Sequence, residues 1–245
     1  LQILHSMNRG GAENALMNYY RHVDRNCIQF DFLLHRTQKG AFDDEIKSMG
    51  GRICYAKPFN PFHHISYINS MKKFFSEHDE YKIMIAHAEL ALCPLKVAAE
   101  AGIPWRICYS HNGRFAFNLK RCFMDYERLF IKKYCTEMFA VSELAARYTF
   151  GDKAVNDGKV KLIKNGIMVD DFIFNEEIRN KKRLELGLDN KFIVGHVGRF
   201  MQQKNHMFLL ETFAELHNLR SDAHLILIGE GRLEDKILRK INELH

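Results

Sequence analysis

The sequence alternates short apolar segments with stretches of helical periodicity, and this alternation limits the folds open to the chain. Apolar residues recur at helical spacing in the stretches 12–23, 65–75, 92–101 and 119–134. The strand-like segments around them are LQILHSM, IQFDFLL, IMIAH, RICYS and MFAVS. Strands that alternate with helices in this way form crossover units. The sequence therefore predicts an α/β fold whose parallel sheet is covered by helices on both faces.

A second set of elements begins near residue 160, where VKLIKNG predicts a strand ended by an Asn-Gly turn. Asn175 is expected to cap a helix that begins with two glutamates, and Gly187 to end that helix. The segment KFIVGHV, a helix over 206–217 and AHLILIG then repeat the strand–helix–strand order. Only one more helix, 232–245, follows, which is too little to cover both faces of a parallel sheet.

We therefore predict two Rossmann-like domains with parallel sheets. The first comprises residues 1–165, and the second, residues 166–245, is incomplete. In such sheets, ligands bind beyond the carboxyl ends of the strands, where loops lead into helices. Candidate site residues are therefore sought in the loops that follow the predicted strands.

The composition of the 245-residue chain excludes several classes of protein. Its hydrophobic fraction of 47% and charged fraction of 27% are ordinary for a globular protein. No window approaches the roughly 18 consecutive apolar residues of a membrane-spanning helix. The net charge of +6 suits a protein that meets anionic small molecules or an anionic membrane surface, and it does not require nucleic acid.

The six cysteines are scattered and include no C-x-x-C pair. Several lie among apolar residues, as Cys108 does in WRICYS. This spacing favours reduced core residues of a cytoplasmic protein over a disulfide framework or a zinc site.

Polar and small residues follow three of the predicted strands of the first domain. Gly10 and Gly11 follow the first strand, where they either let a ligand approach the backbone or only form a tight turn. His87 follows IMIA, and His111 with Asn112 follows RICYS. The alternative for both histidines is a structural role, which we favour slightly for His87.

The stretch VGHVGRFMQQKNH (194–206) places two cations directly after an apolar strand. Arg199 offers a planar fork of donors that suits phosphate oxygens, and Lys204 offers a compact charge. Both follow Gly198 and precede a helix whose amino end favours an anion. The alternative is a solvated loop that carries two cations.

Two further loops carry weaker signals. Ser142 follows the strand MFAV, and capping of the next helix would explain it without a binding role. Gly229, Glu230 and Gly231 begin like a dinucleotide fingerprint, but Glu234 stands where a glycine or alanine is expected. This stretch indicates a turn that a phosphate group could approach.

Six segments, in this order, resemble the retaining GT-B glycosyltransferases of family four, of the type that builds bacterial capsular or exopolysaccharide. They are NRGGAE, SHN, VSELAARYTFG, VKLIKNGIMVDDF, VGRFMQQKNH and LILIGEG. The family fold has two Rossmann-like domains that face a cleft. The resemblance implies transfer of a sugar, with retention, from a nucleotide-diphosphate sugar to a glycan or lipid-linked acceptor. It also implies a UDP-sugar as the commonest donor, no cofactor and often no metal.

The resemblance also implies roles for individual residues. Arg199 and Lys204 match the pair that holds the donor diphosphate and stabilises it as the leaving group. His111 matches a residue that touches the transferred sugar or the acceptor, so these three are the implied catalytic residues. The other implied donor-side residues are Gly10, Gly11, Gly198, Gly229, Glu230 and Gly231. On the acceptor side the candidates are His87, Asn112 and Ser142.

The chain departs from the family pattern in one respect. The family's paired glutamates lie downstream of GEG, and this sequence ends before them. We therefore expect a C-terminally truncated chain that is inactive, or nearly so, by itself. Two other classes remain open, namely a non-catalytic nucleotide- or glycan-binding module and an NAD-dependent dehydrogenase. The dehydrogenase is disfavoured because the first strand leads to Gly-Gly without G-x-G-x-x-G.

The helical stretch 119–134 raises a further hypothesis, which is contact with a membrane. A basic amphipathic helix can lie against anionic lipid, at the inner face of the cytoplasmic membrane. The alternative is a core-packed helix with a solvated outer face. The cations concerned are Lys120, Arg121, Arg128, Lys132 and Lys133, and the apolar residues are Phe123, Leu129, Phe130 and Ile131.

Overall fold

The structure is a computed structural model that describes residues 1–57, 64–87, 92–111 and 119–244, with the backbone alone at 64, 119–125 and 127. The described chain divides into two compact units, Leu1–Met168 and Val169–His245. Each unit contains a parallel β-sheet with α-helices. The predicted α/β class is therefore confirmed.

Seven parallel strands form the sheet of the first unit. They are β1 (Gln2–Leu4), β2 (Phe32–Leu34), β3 (Ile53–Tyr55), β4 (Ile83–His87), β5 (Trp105–Ser110), β6 (Glu137–Ala140) and β7 (Val160–Leu162). Their order across the sheet is β3-β2-β1-β4-β5-β6-β7. The direction of winding therefore reverses between β1 and β4, which is the point where open α/β sheets bind ligands.

The helices of the first unit follow the predicted alternation. They are α1 (Gly11–His22), α2 (Asp43–Ser48), α3 (His64–Glu77), α4 (Leu92–Glu100), α5 (Leu119–Tyr134), α6 (Glu143–Phe150) and α7 (Asp152–Asn156). One prediction is wrong, because the strand near residue 160 does not open a second set of elements. It is β7, which pairs with β6 as the edge strand of the first sheet.

Apolar side chains cover both faces of this sheet. Ile3 and Leu33 belong to a buried cluster that includes Met71 of α3. The alternate strand residue Phe32 belongs to a second cluster, which includes Met17 of α1. Because successive strand residues point to opposite faces, these clusters account for the near-continuous apolar runs of a parallel sheet.

A polar network joins the amino ends of three strands. Asp31, Arg52 and Tyr81 precede β2, β3 and β4. The Arg52 Nη2 donates to Asp31 Oδ2 at 2.6 Å and to Glu80 Oε1 at 2.7 Å, and the Tyr81 hydroxyl donates to Asp31 Oδ2 at 3.0 Å. Burial opposes ionisation of Asp31, but hydrogen bonds from Arg52 and Tyr81 lower its pKa overall.

The second unit has two parallel strands, β8 (Phe192–Val197) and β9 (Ala223–Ile228). Its helices are α8 (Glu176–Glu185), α9 (His206–Leu219) and α10 (Glu234–Leu244). The side chain of Asn175 accepts from the backbone N–H of Ile178 at 2.9 Å, and Gly187 has a φ of 66° just beyond α8. The predicted cap and end of this helix are therefore confirmed.

Helix α5 only partly fits the predicted amphipathic helix. Ile131, one of the apolar residues named for the membrane hypothesis, is buried in the core of the first unit, as the core-packed alternative expects. Arg128 lies with its guanidinium 3.9 Å from the centre of the Tyr148 ring, so it packs against protein. Leu129 and Phe130 are exposed. Within the described ranges, no helix is both long and apolar enough to cross a membrane.

The cysteines fit the predicted core role unevenly. Cys93 and Cys108 are buried, and Cys54 and Cys135 are partly buried. Cys27 is exposed, so the prediction of a core position is wrong for that residue. The five cysteines whose side chains the structure describes are free thiols, and the side chain of Cys122 lies outside the described part of the chain.

Candidate functional site

The carboxyl ends of β4 and β5 bring two predicted site residues together. His87 ends β4 and lies opposite Tyr109 of β5, and His111 follows β5 directly. His87 Nδ1 and His111 Nε2 are 2.7 Å apart, and the two rings stack at 4.9 Å with an interplanar angle of 17°. β4 borders the point where the strand order reverses, so this pair lies where the fold favours a ligand.

The surroundings of the pair hold both rings in place. His87 Nε2 lies 3.1 Å from the side-chain oxygen of the buried Gln2. The Tyr109 ring lies 4.2 Å from the His111 ring, and its hydroxyl donates to the Ile163 carbonyl at 2.8 Å. Tyr109 therefore ties the His111 ring to the segment that follows β7.

Both imidazoles are neutral at pH 7. Burial, with a smaller contribution from His111, lowers the pKa of His87 well below its ordinary value of 6.5. Burial also lowers the pKa of His111 to about 4. The pair can therefore exchange hydrogen bonds with hydroxyl groups, but it carries no charge with which to attract a phosphate.

The Gly-Gly turn lies at the start of α1. A Cβ added to Gly10 would lie 2.1 Å from Glu13 Oε2, so a carboxylate already covers this position. A Cβ added to Gly11 would meet no atom within 4 Å. Because like charges repel, a phosphate group at Gly10 would require Glu13 to turn away.

Ser142 and Asn112 complete the residues predicted in the first unit. The hydroxyl of Ser142 accepts from the backbone N–H of Ala145 at 3.2 Å, so Ser142 is the N-cap of α6. This contact is the structural alternative that the sequence left open. Asn112 lies outside the described residues.

In the second unit, the predicted donor residues lie on two loops that pack closely against each other. The backbone N–H of Phe200 donates to the Glu230 carbonyl at 2.8 Å. A Cβ added to Gly229 would lie 2.1 Å from the Gly198 carbonyl oxygen, so only glycine fits there. Gly231 has a φ of 153° and packs against the Phe200 backbone. The loops after β8 and β9 are thus held together by their glycines.

The two predicted cations lie on the loop after β8. A Cβ at Gly198 would be 3.2 Å from Cε of Lys204, so the lysine stem lies across that glycine. Arg199 and Lys204 are both exposed, and neither forms an ion pair with any described residue. The loop ends at Asn205, whose φ of 47° turns the chain into α9. Two cations therefore lie before the amino end of a 14-residue helix.

Sequence reasoning missed one residue of this loop. His206 begins α9 and is 1% exposed, and neither of its ring nitrogens has a hydrogen-bond partner among the described residues. Its ring meets the rings of His196 and Phe200 edge to face, at 4.9 and 5.1 Å. Burial, then His196 and Lys204, lower the pKa of His206. Only the place of His206 next to the cationic loop could have indicated this burial.

The described residues include no group of three histidine, cysteine, aspartate or glutamate side chains arranged to hold a metal ion. The residues that could hold an anionic ligand are those of the cationic loop. The arrangement thus offers neutral imidazoles in the first unit and, in the second, two cations that have no carboxylate partner among the described residues.

Comparison with known proteins gives relatives of one kind, although no protein-family model matches the chain. The chain is 34% identical over 238 residues to EpsF of Bacillus subtilis, which is named a glycosyltransferase, and the match covers 95% of this chain and 62% of EpsF. It is 28% identical over 221 residues to the capsular polysaccharide biosynthesis glycosyltransferase CapH of Staphylococcus aureus, covering 86% of this chain and 56% of CapH. The chain therefore spans less than two thirds of the length of either relative.

Among solved structures, HepE of Anabaena in complex with UDP superposes with a TM-score of 0.76. The match covers 99% of this chain and 64% of HepE at 17% sequence identity, a level at which the likeness shows the fold alone. The parallel sheet that reverses its winding between β1 and β4 agrees with that likeness. The chain thus has the Rossmann-like α/β fold of the GT-B glycosyltransferases and is similar in sequence to bacterial glycosyltransferases.

Proposed function

We propose that the chain is the larger part of a glycosyltransferase of polysaccharide biosynthesis. The enzyme transfers a sugar from a nucleotide-diphosphate sugar, with a UDP-sugar as the proposed donor, to a glycan or lipid-linked acceptor. Transfer proceeds with retention of anomeric configuration, and no cofactor takes part. Support comes from the similarity to EpsF and CapH and from the fold shared with UDP-bound HepE.

The observation that carries the proposal is the cationic loop of the second unit. Arg199 and Lys204 are exposed and, among the described residues, have no carboxylate partner. Both precede the amino end of α9, and the stem of Lys204 is held against Gly198. Two cations and a helix amino end on a loop of fixed shape form a site for a diphosphate group.

The chemistry follows from where charge develops. As the glycosidic bond of the donor breaks, negative charge grows on the diphosphate. A guanidinium fork and an ammonium group held at that position stabilise the leaving group more than the intact donor, and this lowers the barrier. His206 remains neutral behind the loop, so it adds no charge of its own. In the first unit, His111 contacts the transferred sugar or the acceptor through its uncharged ring.

The proposal is tested by titrating UDP and UDP-sugars into the chain and into the full-length protein, with calorimetry as the readout. Arg199→Ala and Lys204→Ala should each weaken UDP binding by about 10- to 100-fold, because each removes a charge-assisted hydrogen bond. The matched control is Arg179→Ala, which removes an exposed arginine of α8 in the same unit. Unchanged affinity in both loop variants, or loss of folding in both, would contradict the proposal.

Turnover is measured on the full-length protein, with a panel of nucleotide sugars and the anomer of the product read by NMR. We propose that the chain alone turns over little, because it spans only 62% of EpsF and 56% of CapH. Product of inverted configuration would overturn the proposed retention, and efficient transfer by the chain alone would overturn its proposed inactivity.

We also propose that the enzyme works at the inner face of the cytoplasmic membrane, through helix α5. Tyr126 is exposed, and the exposed Leu129 and Phe130 lie three and four residues after it, about one helical turn on. Lys132 and Lys133 follow them. Exposed apolar rings beside lysines suit an anionic lipid surface. Flotation with anionic and neutral liposomes tests this, and Leu129→Ser with Phe130→Ser should weaken flotation with anionic liposomes. Equal flotation with both lipids would remove the proposal.

A further inference from the structure

The hydrogen-bonded histidines of the first unit form a chain of contacts that begins at Gln2. His87 Nε2 is 3.1 Å from the side-chain oxygen of Gln2, and His87 Nδ1 is 2.7 Å from His111 Nε2. Gln2 is 3% exposed, so water competes little for its amide. This series of contacts ends at His111 Nδ1, which is buried and has no hydrogen-bond partner among the described residues.

We propose that Gln2 and His87 are positioning residues that fix His111 as its Nε2–H tautomer, with the lone pair of Nδ1 left to accept a hydrogen bond from a substrate hydroxyl. The inference rests on the proposed function for the identity of the substrate. The tautomers themselves follow from the contacts and are independent of that function.

At each contact, the partner atom determines which ring nitrogen carries the hydrogen. The side-chain oxygen of Gln2 can only accept, so His87 carries its hydrogen on Nε2. Neutral imidazole has one N–H, which leaves a lone pair on His87 Nδ1. The facing Nε2 of His111 must then donate, and the second nitrogen of His111 is left as an acceptor.

The tautomer sets which ligand groups fit. A sugar hydroxyl can donate to the lone pair on His111 Nδ1, whereas a carboxylate or phosphate oxygen at that place would face it lone pair to lone pair. The residue thereby favours a neutral, hydroxylated sugar over an acidic group at this position. A buried acceptor without a donor is also unfavourable, and a donating hydroxyl relieves that state.

His35 provides an internal reference within the same sheet. Its Nδ1 lies 2.9 Å from the Leu4 carbonyl oxygen, and its Nε2 lies 2.6 Å from the Tyr67 hydroxyl. A carbonyl can only accept, so His35 is the Nδ1–H tautomer. One protein therefore holds buried histidines of both kinds, which two-bond nitrogen–proton NMR distinguishes.

The proposal is tested by recording two-bond nitrogen–proton NMR spectra of the chain labelled with ¹⁵N-histidine, at pH 7.5 and without nucleotide sugar. We expect Nε2–H signals for His87 and His111 and an Nδ1–H signal for His35. Gln2→Met should mix the tautomers of His87 and His111 and leave His35 unchanged. An Nδ1–H tautomer of His111 in the parent, or tautomers unaltered by Gln2→Met, would overturn the proposal.

Two substitutions at His87 separate positioning from simple packing. His87→Asn puts an oxygen about where Nδ1 was and should keep His111 as its Nε2–H tautomer. His87→Phe fills the space without an acceptor, so His111 should then populate both tautomers. In the full-length enzyme, His87→Phe should lower kcat/KM about tenfold, and His87→Asn should recover most of that loss. An equal loss in both variants would overturn positioning. If the tautomers are as expected but no sugar is transferred, the positioning of His111 by Gln2 and His87 stands and only the proposed function is removed.

Discussion

The two units hold their candidate site residues in opposite ways. In the first, His87 and His111 are neutral and hydrogen-bonded to each other, at the carboxyl ends of β4 and β5 in a sheet covered on both faces. In the second, Arg199 and Lys204 are exposed and, within the described ranges, carry charge that no carboxylate balances. The first region is oriented by internal hydrogen bonds that leave one buried acceptor, His111 Nδ1, without a partner among the described residues, and the second carries cations that a ligand would pair.

This difference separates orientation from attraction. Neutral rings fixed by neighbours can direct hydrogen bonds to a sugar, but they cannot concentrate an anion. Unpaired cations can attract a diphosphate, but long exposed side chains do not select its orientation by themselves. The loop compensates by its backbone, because Gly198 and Gly229 fix the path from which both cations extend.

The largest expected contrast between the units is their response to acid. Unfolded histidines take up protons near pH 6.5, whereas folded His111 does so only near pH 4. Between these values the unfolded state binds more protons, so the free energy of unfolding falls as the pH decreases. For His111 alone the loss should be about 2–3 kcal/mol between pH 7 and pH 4. Urea unfolding across this range measures it.

Two histidine substitutions test this prediction, one at His111 and one at an exposed control position. His111→Asn should reduce the dependence of the unfolding free energy on pH, while buried His87 keeps its own contribution. The matched control is His22→Asn, which replaces an exposed histidine at the end of α1. Identical slopes for the parent and His111→Asn would mean that this ring does not govern the acid response.

The next effect concerns the glycines of the cationic loop. Gly229→Ala would place a methyl group 2.1 Å from the Gly198 carbonyl oxygen, so we expect a loss of about 2 kcal/mol in unfolding free energy. Gly195→Ala is the matched control, because a Cβ there meets no atom within 4 Å. Hydrogen–deuterium exchange over Phe192–Val197 and Ala223–Ile228 should rise only in Gly229→Ala. Equal exchange in the two variants would show that the loops are not closely packed.

The smallest expected effect is the loss of unfolding free energy when a helix cap is removed, compared for one cap in each unit. Ser142→Ala should lower the unfolding free energy by about 1 kcal/mol, because α6 buries residues such as Phe150 and unfolds with the core. Asn175→Ala should cost only a few tenths of a kcal/mol, since α8 buries no residue and can fray alone. Ser142→Thr and Asn175→Ser keep the caps and serve as controls. A larger global loss in Asn175→Ala would contradict this ranking.

Local patterns predicted most of the elements of this fold. Helical periodicity located α1, α3 and α9 to within a few residues, because a long amphipathic pattern repeats its signal. Three short elements, α2, β3 and α7, were not predicted, since each has too few residues to show a period. Strand pairing is not a local property, and this is why β7 was assigned to the wrong set of elements.

The sequence nominates candidate site residues one by one, but it does not predict their contacts. The order of polar residues after strands indicated His87, His111, Arg199 and Lys204 without showing which of them meet. The hydrogen bond between the histidines depends on the register of β4 against β5, and the burial of His206 depends on how α9 packs. Both are set by tertiary structure, which no single stretch of sequence carries.

The polar network at the amino ends of β2, β3 and β4 has a consequence for how proteins of this kind diversify. Asp31, Arg52 and Tyr81 fasten three strands at the edge of the sheet opposite to the histidines. Mutations at the carboxyl edge leave those bonds in place, and effects at separate sites tend to add independently. Residues at the carboxyl ends of the strands can therefore change over evolutionary time while the scaffold persists.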